Sequence, residues 1–419
     1  MSTDQQPPRT GLTRRGVLAA GGAAILGAAG GYALGQRPDG TPTASGPTPA
    51  PTAIPSPAAS VAAASDAPAI LPYYGVHQSG VTTPPALFQA FIGLDLREPT
   101  CDDAIAVMRL VTDDAARLTQ GEPALGDTQP ELAASAGMLT VTVGLGRSLF
   151  ERLGLAREIP AQLPVMPDFS TDRFERPWSE TDLMLQVGAD DPVTLSHTVR
   201  MLAKDVSALT RTRWTQQGFR SPTPATPGSG ATRNLMGQVD GTVNPTGDDL
   251  DSTVWIADGP DWLAGGTVLV LRRIRMLMEP WDLLDRAVQE TVIGRRLDTG
   301  APIGAAHETD PVPFDAVDDL GLPVIAADAH VRVAHAPSKD AMILRRPFNY
   351  DDGTRDGGSD VGLLFAAYMR DPRTSFIPMQ ERIAASDAFN RWNTTVGSAT
   401  YLIPAGAREG RFIAEGLLT

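Results

Sequence analysis

Three short segments hold the side chains best suited to chemistry. "GQVDGT" carries Asp240, "DAHVRVAHAP" carries His330 and His335, and "MILRRPFNYDDG" carries Arg345 and Arg346. A histidine, a carboxylate and an arginine are the groups that peroxide cleavage at a haem iron requires. The imidazole holds the iron. The carboxylate moves a proton between the two peroxide oxygens, and the guanidinium stabilises the charge that develops as the O–O bond breaks. Each residue also has a plainer reading. Asp240-Gly241 is a turn dipeptide, so "NLMGQVDGTVNP" reads as a hairpin turn with the acid at its tip. A lone histidine is more often a satisfied core residue than a ligand. Arg345 and Arg346 are neighbours on an expected strand, so only one can face a given site.

Other chemistries find little support. The five histidines are His77, His197, His307, His330 and His335. None has the H-E-x-x-H spacing of a zinc protease, and no nucleophile elbow, Walker loop or dinucleotide fingerprint is present. Cys101 is the only cysteine, which excludes an intrachain disulfide and Cys-based zinc or iron–sulfur sites. A net charge of −14 argues against nucleic acid and anionic membrane surfaces as partners.

The elements that must position these residues form an α+β pattern. In the first half, "ALFQAFIGLDL", "MLTVTVGLG" and "DLMLQVGADD" read as strands; "CDDAIAVMRLVTDDAARLTQG" and "DPVTLSHTVRMLAKDVSAL" read as helices, the second carrying His197 as a core residue. In the second half, "GGTVLVLRRIRM", "AMILRRPFNY" and "VGLLFAAYMRD" read as strands. "EPWDLLDRAVQETVIGRRL" and "FIPMQERIAASDAFNRWN" read as helices. The element order suggests duplicated ferredoxin-like units, each an antiparallel sheet with peripheral helices. No sequence period supports the duplication, which rests on element order alone.

The N-terminus reads as a targeting segment. Arg14-Arg15 precede a Gly/Ala-rich apolar run from Gly16 to Gly35, so residues 1–36 read as a twin-arginine export signal, with an uncleaved membrane anchor as the alternative. Residues 37–66 are rich in Pro, Ala, Ser and Thr and read as a disordered tether. The expected domains are 67–225 and 226–419, joined through the Pro/Gly/Ser-rich stretch "RSPTPATPGSGATR". The expected location is extracellular or in the cell envelope, membrane-tethered if the signal stays attached.

Taken in order, these segments resemble the dye-decolourising peroxidase family, in its exported branch. "GQVDGT" matches the family's G-x-x-D-G motif at Gly237, Asp240 and Gly241. "HVRVAHAP" resembles the segment of the proximal ligand; "ILRR" and "GLLF" resemble the distal arginine strand and the strand lining the distal pocket. "YGVHQSGVTTP", "RRIRM", "ETVIGRR", "GAPIG" and "VGSATYLIP" also fit, and the likeness spans roughly Leu71 to Leu418.

The resemblance implies a dimeric α+β barrel-like fold with one haem b per chain in the C-terminal half. It implies reduction of hydrogen peroxide and oxidation of organic donors such as dyes or phenolics through a ferryl state. His330 becomes the iron ligand, and His335 a neighbour that contacts haem or its propionates. Asp240 becomes the acid–base group and Arg345 the distal arginine, with Arg346 left as a salt-bridging or solvent residue. Gly241, Thr242 and Val243 are expected at the porphyrin, Leu363 and Phe365 along a narrow, dry distal pocket, and Asp387 as acceptor for the proximal histidine. Electrons would leave through a surface aromatic, for which Trp255, Trp262, Trp281, Tyr350 and Trp392 are unranked candidates. Two alternatives stand beside this reading: iron release from haem, as in deferrochelatase-like relatives, and a non-catalytic haem carrier. The twin-arginine machinery would be a partner; homo-oligomerisation is left open.

Overall fold

Two runs of the chain build the same four-stranded arrangement in the computed structural model, which describes residues 70–419. The expected signal and tether, residues 1–66, lie outside the described residues. The strands are β1 (Phe88–Leu96), β2 (Thr140–Gly146), β3 (Leu183–Ala189), β4 (Thr210–Phe219), β5 (Thr232–Arg233), β6 (Val239–Asp240), β7 (Thr267–Met276), β8 (Leu344–Arg345), β9 (Phe348–Arg355), β10 (Gly358–Met369) and β11 (Asn393–Ile403). In the first half the order is β2-β3-β1-β4, and in the second β11-β7-β10-β9. Numbered within each half, both read fourth-first-third-second with every pair antiparallel, which is the ferredoxin-like arrangement.

The halves join edge to edge. β2 pairs with β11 at Tyr401↔Gly146 and Leu402↔Leu145, and β4 meets β9 at Phe219↔Asn349. Eight strands therefore close into one barrel, and the edges that each half alone would expose are paired.

The pleat then sorts side chains between the barrel interior and the outer layers. Leu269 and Leu271 of β7 and Leu364, Ala366 and Tyr368 of β10 join Phe91, Trp214 and Tyr401 in one core cluster. Their alternates face the other way. Arg272, Ile274 and Met276 of β7 and Leu363 and Phe365 of β10 line a cavity outside the barrel. Leu363 pairs across from Ile274, and Phe365 from Arg272, so the two strands supply one continuous wall. On the first half, the helices Cys101–Leu118 and Pro192–Asp205 pack against the sheet, capped by Thr100 and Asp191. His197 is buried on the second of these, its Nε2 bonded to Asp127 at 2.8 Å.

The elements depart from the sequence reading in several places, among them "FIPMQERIAASDAFNRWN", whose helix Phe376–Ser386 ends at Asp387 before a separate turn, Ala388–Arg391. β4, "TRTRWTQQGF", was not foreseen: its buried residues alternate with exposed Arg and Thr, so its mean character is polar. "EPWDLLDRAVQETVIGRRL" is two helices, Met278–Asp282 and Arg286–Ile293, because Asp285 turns extended, at ψ 144°, just before the second. "AMILRRPFNY" is not one strand. Pro347 lacks an N–H and separates β8 from β9.

Candidate active site

Asp240 reaches its position through a short hairpin. β5 and β6 pair at Thr232↔Asp240 and Arg233↔Val239. The turn between them is set by Asn234, whose Oδ1 accepts from the Met236 N–H at 3.0 Å and the Gln238 N–H at 3.1 Å. Gly237 supplies the left-handed residue, at φ 79°. The tip is thus Asn234–Gln238, and the expectation that Asp240 sits at it is corrected: Asp240 lies on the returning strand. Its carboxylate lines the cavity, with Oδ1 3.4 Å from Arg345 Nη1.

Arg345 is presented by β8, whose outer edge has no strand partner among the described residues. Asn244 fills that edge. Its Nδ2 donates to the Arg345 carbonyl at 2.8 Å, and its Oδ1 accepts from the Arg345 N–H at 2.9 Å. Arg346 points elsewhere, as strand alternation requires. It is neither a salt-bridging nor a solvent arginine. It is buried, donates to the Thr83 carbonyl and makes no ion pair among the described residues. Burial, with Arg220 nearby, pushes its pKa down to about 10.

On another part of the lining, His330 opens a single helical turn, His330–Val333. Its Nδ1 donates to Asp387 Oδ2 at 2.6 Å. Asp387 is buried, and its Oδ1 also accepts from the Phe389 N–H at 2.8 Å, so the acid is fixed by the turn it caps. With Nδ1 spent in this way, Nε2 keeps its lone pair for a ligand. His335 is exposed on the same lining, edge-on to Phe314 at 4.9 Å between ring centroids.

One cavity therefore collects Asp240, Thr242, Val243, His330, His335, Arg345, Leu363, Phe365 and Asp387. Counted with its open mouth it encloses about 1730 Å³. Gly241 is the expected residue that the lining lacks. It takes φ 104°, and a Cβ there would meet nothing nearer than Ala231 at 3.9 Å. His77 does not line the cavity either; it stacks on Trp255 at 3.7 Å and bonds the Gly265 carbonyl through Nδ1.

Sequence reasoning missed three arginines. Arg272 lines the cavity and pairs with buried Asp172. Arg295 also lines it, donating Nη1 to the carbonyls of Gly300 (2.7 Å) and Glu308 (2.9 Å), with its pKa lowered by burial and by Arg345. Arg220 bonds Thr232, the residue across the ladder from Asp240, at 3.4 Å, and the Asp240 charge acts on it. Arg272 and Arg295 lie in "RRIRM" and "ETVIGRR", segments whose family likeness implies no role for either arginine.

Comparison with known proteins bears on this geometry. Residues 78–220 match the family description "Dyp-type peroxidase, N-terminal", and residues 231–408 match "Dyp-type peroxidase, C-terminal". The chain belongs to the Dyp-type peroxidase family. It is 43% identical to a dye-decolorizing peroxidase from Thermobifida fusca, over an alignment covering 99% of each chain. It is 33% identical to a deferrochelatase from Escherichia coli, covering 81% of this chain and 84% of the relative. The crystal structure of a DyP-type peroxidase from Cellulomonas bogoriensis superposes with TM-score 0.81 at 42% identity, covering 84% of this chain and 99% of that one. One from Streptomyces coelicolor gives 0.79 at 37%, covering 84% and 98%.

A DyP-type peroxidase is a haem enzyme, and the residues present fit that cofactor. The lining offers His330 Nε2, left free for iron by the Nδ1 bond to Asp387, and apolar walls from Ile274, Ile293, Ile343, Leu363 and Phe365. It also offers Arg295, which makes no ion pair among the described residues, as a cation toward which a haem carboxylate could turn.

Proposed function

We propose that this DyP-type peroxidase reduces hydrogen peroxide at the cavity, with His330 as the iron ligand and Asp240 and Arg345 as the peroxide-handling pair, and oxidises an organic donor in turn. The observation that carries the assignment is that one lining holds two separately wired sets: His330 tied to Asp387, and Asp240 beside Arg345. Bound haem supplies the redox-active iron at which peroxide is reduced. Asp387 orients His330 and raises its basicity by accepting the Nδ1 proton. The Asp240 carboxylate accepts a peroxide proton and returns it to the departing oxygen, which leaves as water. The Arg345 guanidinium stabilises negative charge on that oxygen. Leu363 and Phe365 form an apolar wall that would narrow the space beside bound haem against water and bulky donors.

Exclusion of bulky donors calls for an electron path through the protein. Phe389 lies edge-on to His330 at 5.5 Å, Trp281 to Phe389 at 5.7 Å, and half-buried Trp392 to Trp281 at 5.6 Å. This run of rings favours Trp281 and Trp392 among the five candidates. Trp255 and Tyr350 belong to the barrel core, and Trp262 packs in the first half.

The deferrochelatase relative keeps iron release as a second reading, although the higher identity is to the peroxidase. One spectroscopic experiment separates them. Holoenzyme mixed with one equivalent of peroxide and a dye should bleach the dye while keeping its haem; metal-free porphyrin appearing without peroxide would support iron release, and neither change a carrier. We also read Arg14-Arg15 and the following apolar run as a twin-arginine signal, which makes the protein an exported one. Fusing residues 1–66 to a reporter and comparing Arg14→Lys/Arg15→Lys tests this: export should stop in the double variant.

A further inference from the structure

We propose that Glu308 and Asn244 are positioning residues that hold Asp240 and Arg345 together, a role that rests on reading those two as the peroxide-handling pair. The segment leaving Asp240 is weakly anchored by packing. Gly241 has φ 104°, and a Cβ built there would touch Ala231 alone. Polar contacts must therefore set where this segment lies.

Glu308 supplies one set. Its Oε1 accepts from the hydroxyls of Thr242 (2.9 Å) and Ser229 (3.0 Å), and its Oε2 from the hydroxyl of Thr226 (2.6 Å). Thr226 and Ser229 lie on the chain entering β5, and Thr242 on the chain leaving β6. Because Thr232 of β5 pairs with Asp240 of β6, one carboxylate ties both legs of the hairpin that carries Asp240. Three hydroxyl donors suit an ionised acceptor. Burial alone would raise the Glu308 pKa, but the bonds from Thr226, Thr242 and Ser229 and the charge of Arg295 outweigh it and leave the pKa below the usual value. The Glu308 main chain is held in turn, since its carbonyl accepts from Arg295.

Asn244 supplies the other set, from the opposite partner. Its amide takes both backbone groups of Arg345, doing for the edge of β8 what a neighbouring strand would do. The segment from Asp240 to Asn244 thus begins at the acid and ends bonded to the main chain of the arginine. The 3.4 Å separation of Asp240 and Arg345 depends on both attachments.

The test uses haem-loaded Glu308→Gln, Asn244→Ala and Thr226→Val beside Asp240→Asn. Three quantities are read: the Soret band, the rate of the peroxide step against that of donor oxidation, and backbone hydrogen exchange of residues 239–245 with and without haem. A loosened pair should keep its haem and its donor step, lose about tenfold to a hundredfold in the peroxide step, and exchange faster at residues 239–245. Thr226→Val added to Glu308→Gln should cost little more, because both break one network. Thr226→Ser, which keeps the hydroxyl, should restore the rate. If Glu308→Gln sheds haem, Thr226→Val and Asn244→Ala carry the same readouts. A slow Asp240→Asn beside wild-type rates and exchange in the three positioning variants overturns this proposal alone. A wild-type rate in Asp240→Asn overturns the reading beneath it.

Discussion

His330 and Asp387 lie 57 positions apart in the chain, yet their side chains meet in a 2.6 Å hydrogen bond on the wall of the cavity. The carboxylate is fully buried there, and the imidazole is one-third exposed. That asymmetry suits an iron ligand: the buried acid fixes the ring, and the exposed edge faces the cavity.

His330→Ala should abolish stable haem loading, since iron loses its protein ligand. Asp387→Asn should load but hold haem less tightly, by roughly 10–100-fold. His335→Ala should leave the Soret band largely intact. Reconstitution followed by titration of haem transfer to an acceptor protein measures all three. Retention in the first variant with loss in the third would move the ligand to His335.

Arg345→Leu should keep haem but slow the peroxide step by about 10²–10³-fold, the usual cost of one preorganised donor to developing charge. Arg346→Leu should act differently. Its guanidinium is buried against the Thr83 carbonyl, away from the cavity lining, so the loss should show in melting temperature with the peroxide step nearly unchanged. A fall in the peroxide rate for Arg346→Leu equal to that for Arg345→Leu would contradict the assignment.

Much of what lines this cavity was legible in the sequence because each candidate residue sits in a segment of unusual local chemistry. Asp240 is bracketed by Gly237 and Gly241, His330 opens the segment "HVRVAHAP", and Arg345 lies two residues before Pro347. The alternation of Leu363 and Phe365 follows from strand geometry alone. What stayed hidden depends on distant partners. Arg346 looks like a surface residue until Thr83 folds over it. Arg295 and Glu308 look like ordinary loop charges until the hairpin of Asp240 is laid against them. The fold was legible in its apolar strands, whereas β4 was not, because a barrel strand with one wet face reads as polar.

Trp392→Phe and Trp281→Phe should leave the peroxide step unchanged and slow oxidation of donors too bulky to enter the cavity, with small donors affected less. Steady-state rates for a large dye and a small phenol give the comparison. Equal rates for both donors in both variants would remove this path.

Asp114 makes stability depend on pH. Burial first, then the neighbouring Asp205, raises its pKa from 3.8 to about 7. As pH rises past 3.8 the unfolded chain gives up this proton while the folded protein keeps it. The stabilisation is thus complete at low pH and is lost as pH rises toward about 7. Asp114→Asn should flatten that part of the profile, raising the melting temperature more near pH 8 than near pH 5. Parallel melting curves in the two buffers check the sign; an equal shift at both would refute it.

The most direct test of the central claim is stopped-flow mixing of peroxide with haem-loaded wild type and Asp240→Asn across about pH 3 to 8. An amide cannot accept the peroxide proton, so the variant should be slower by roughly 10²–10⁴-fold with its Soret band intact. The wild type should stay reactive below about pH 6, where a histidine base would be protonated. A variant as fast as the wild type, or a wild-type rate that collapses below about pH 6, would contradict a carboxylate at Asp240 as the proton acceptor.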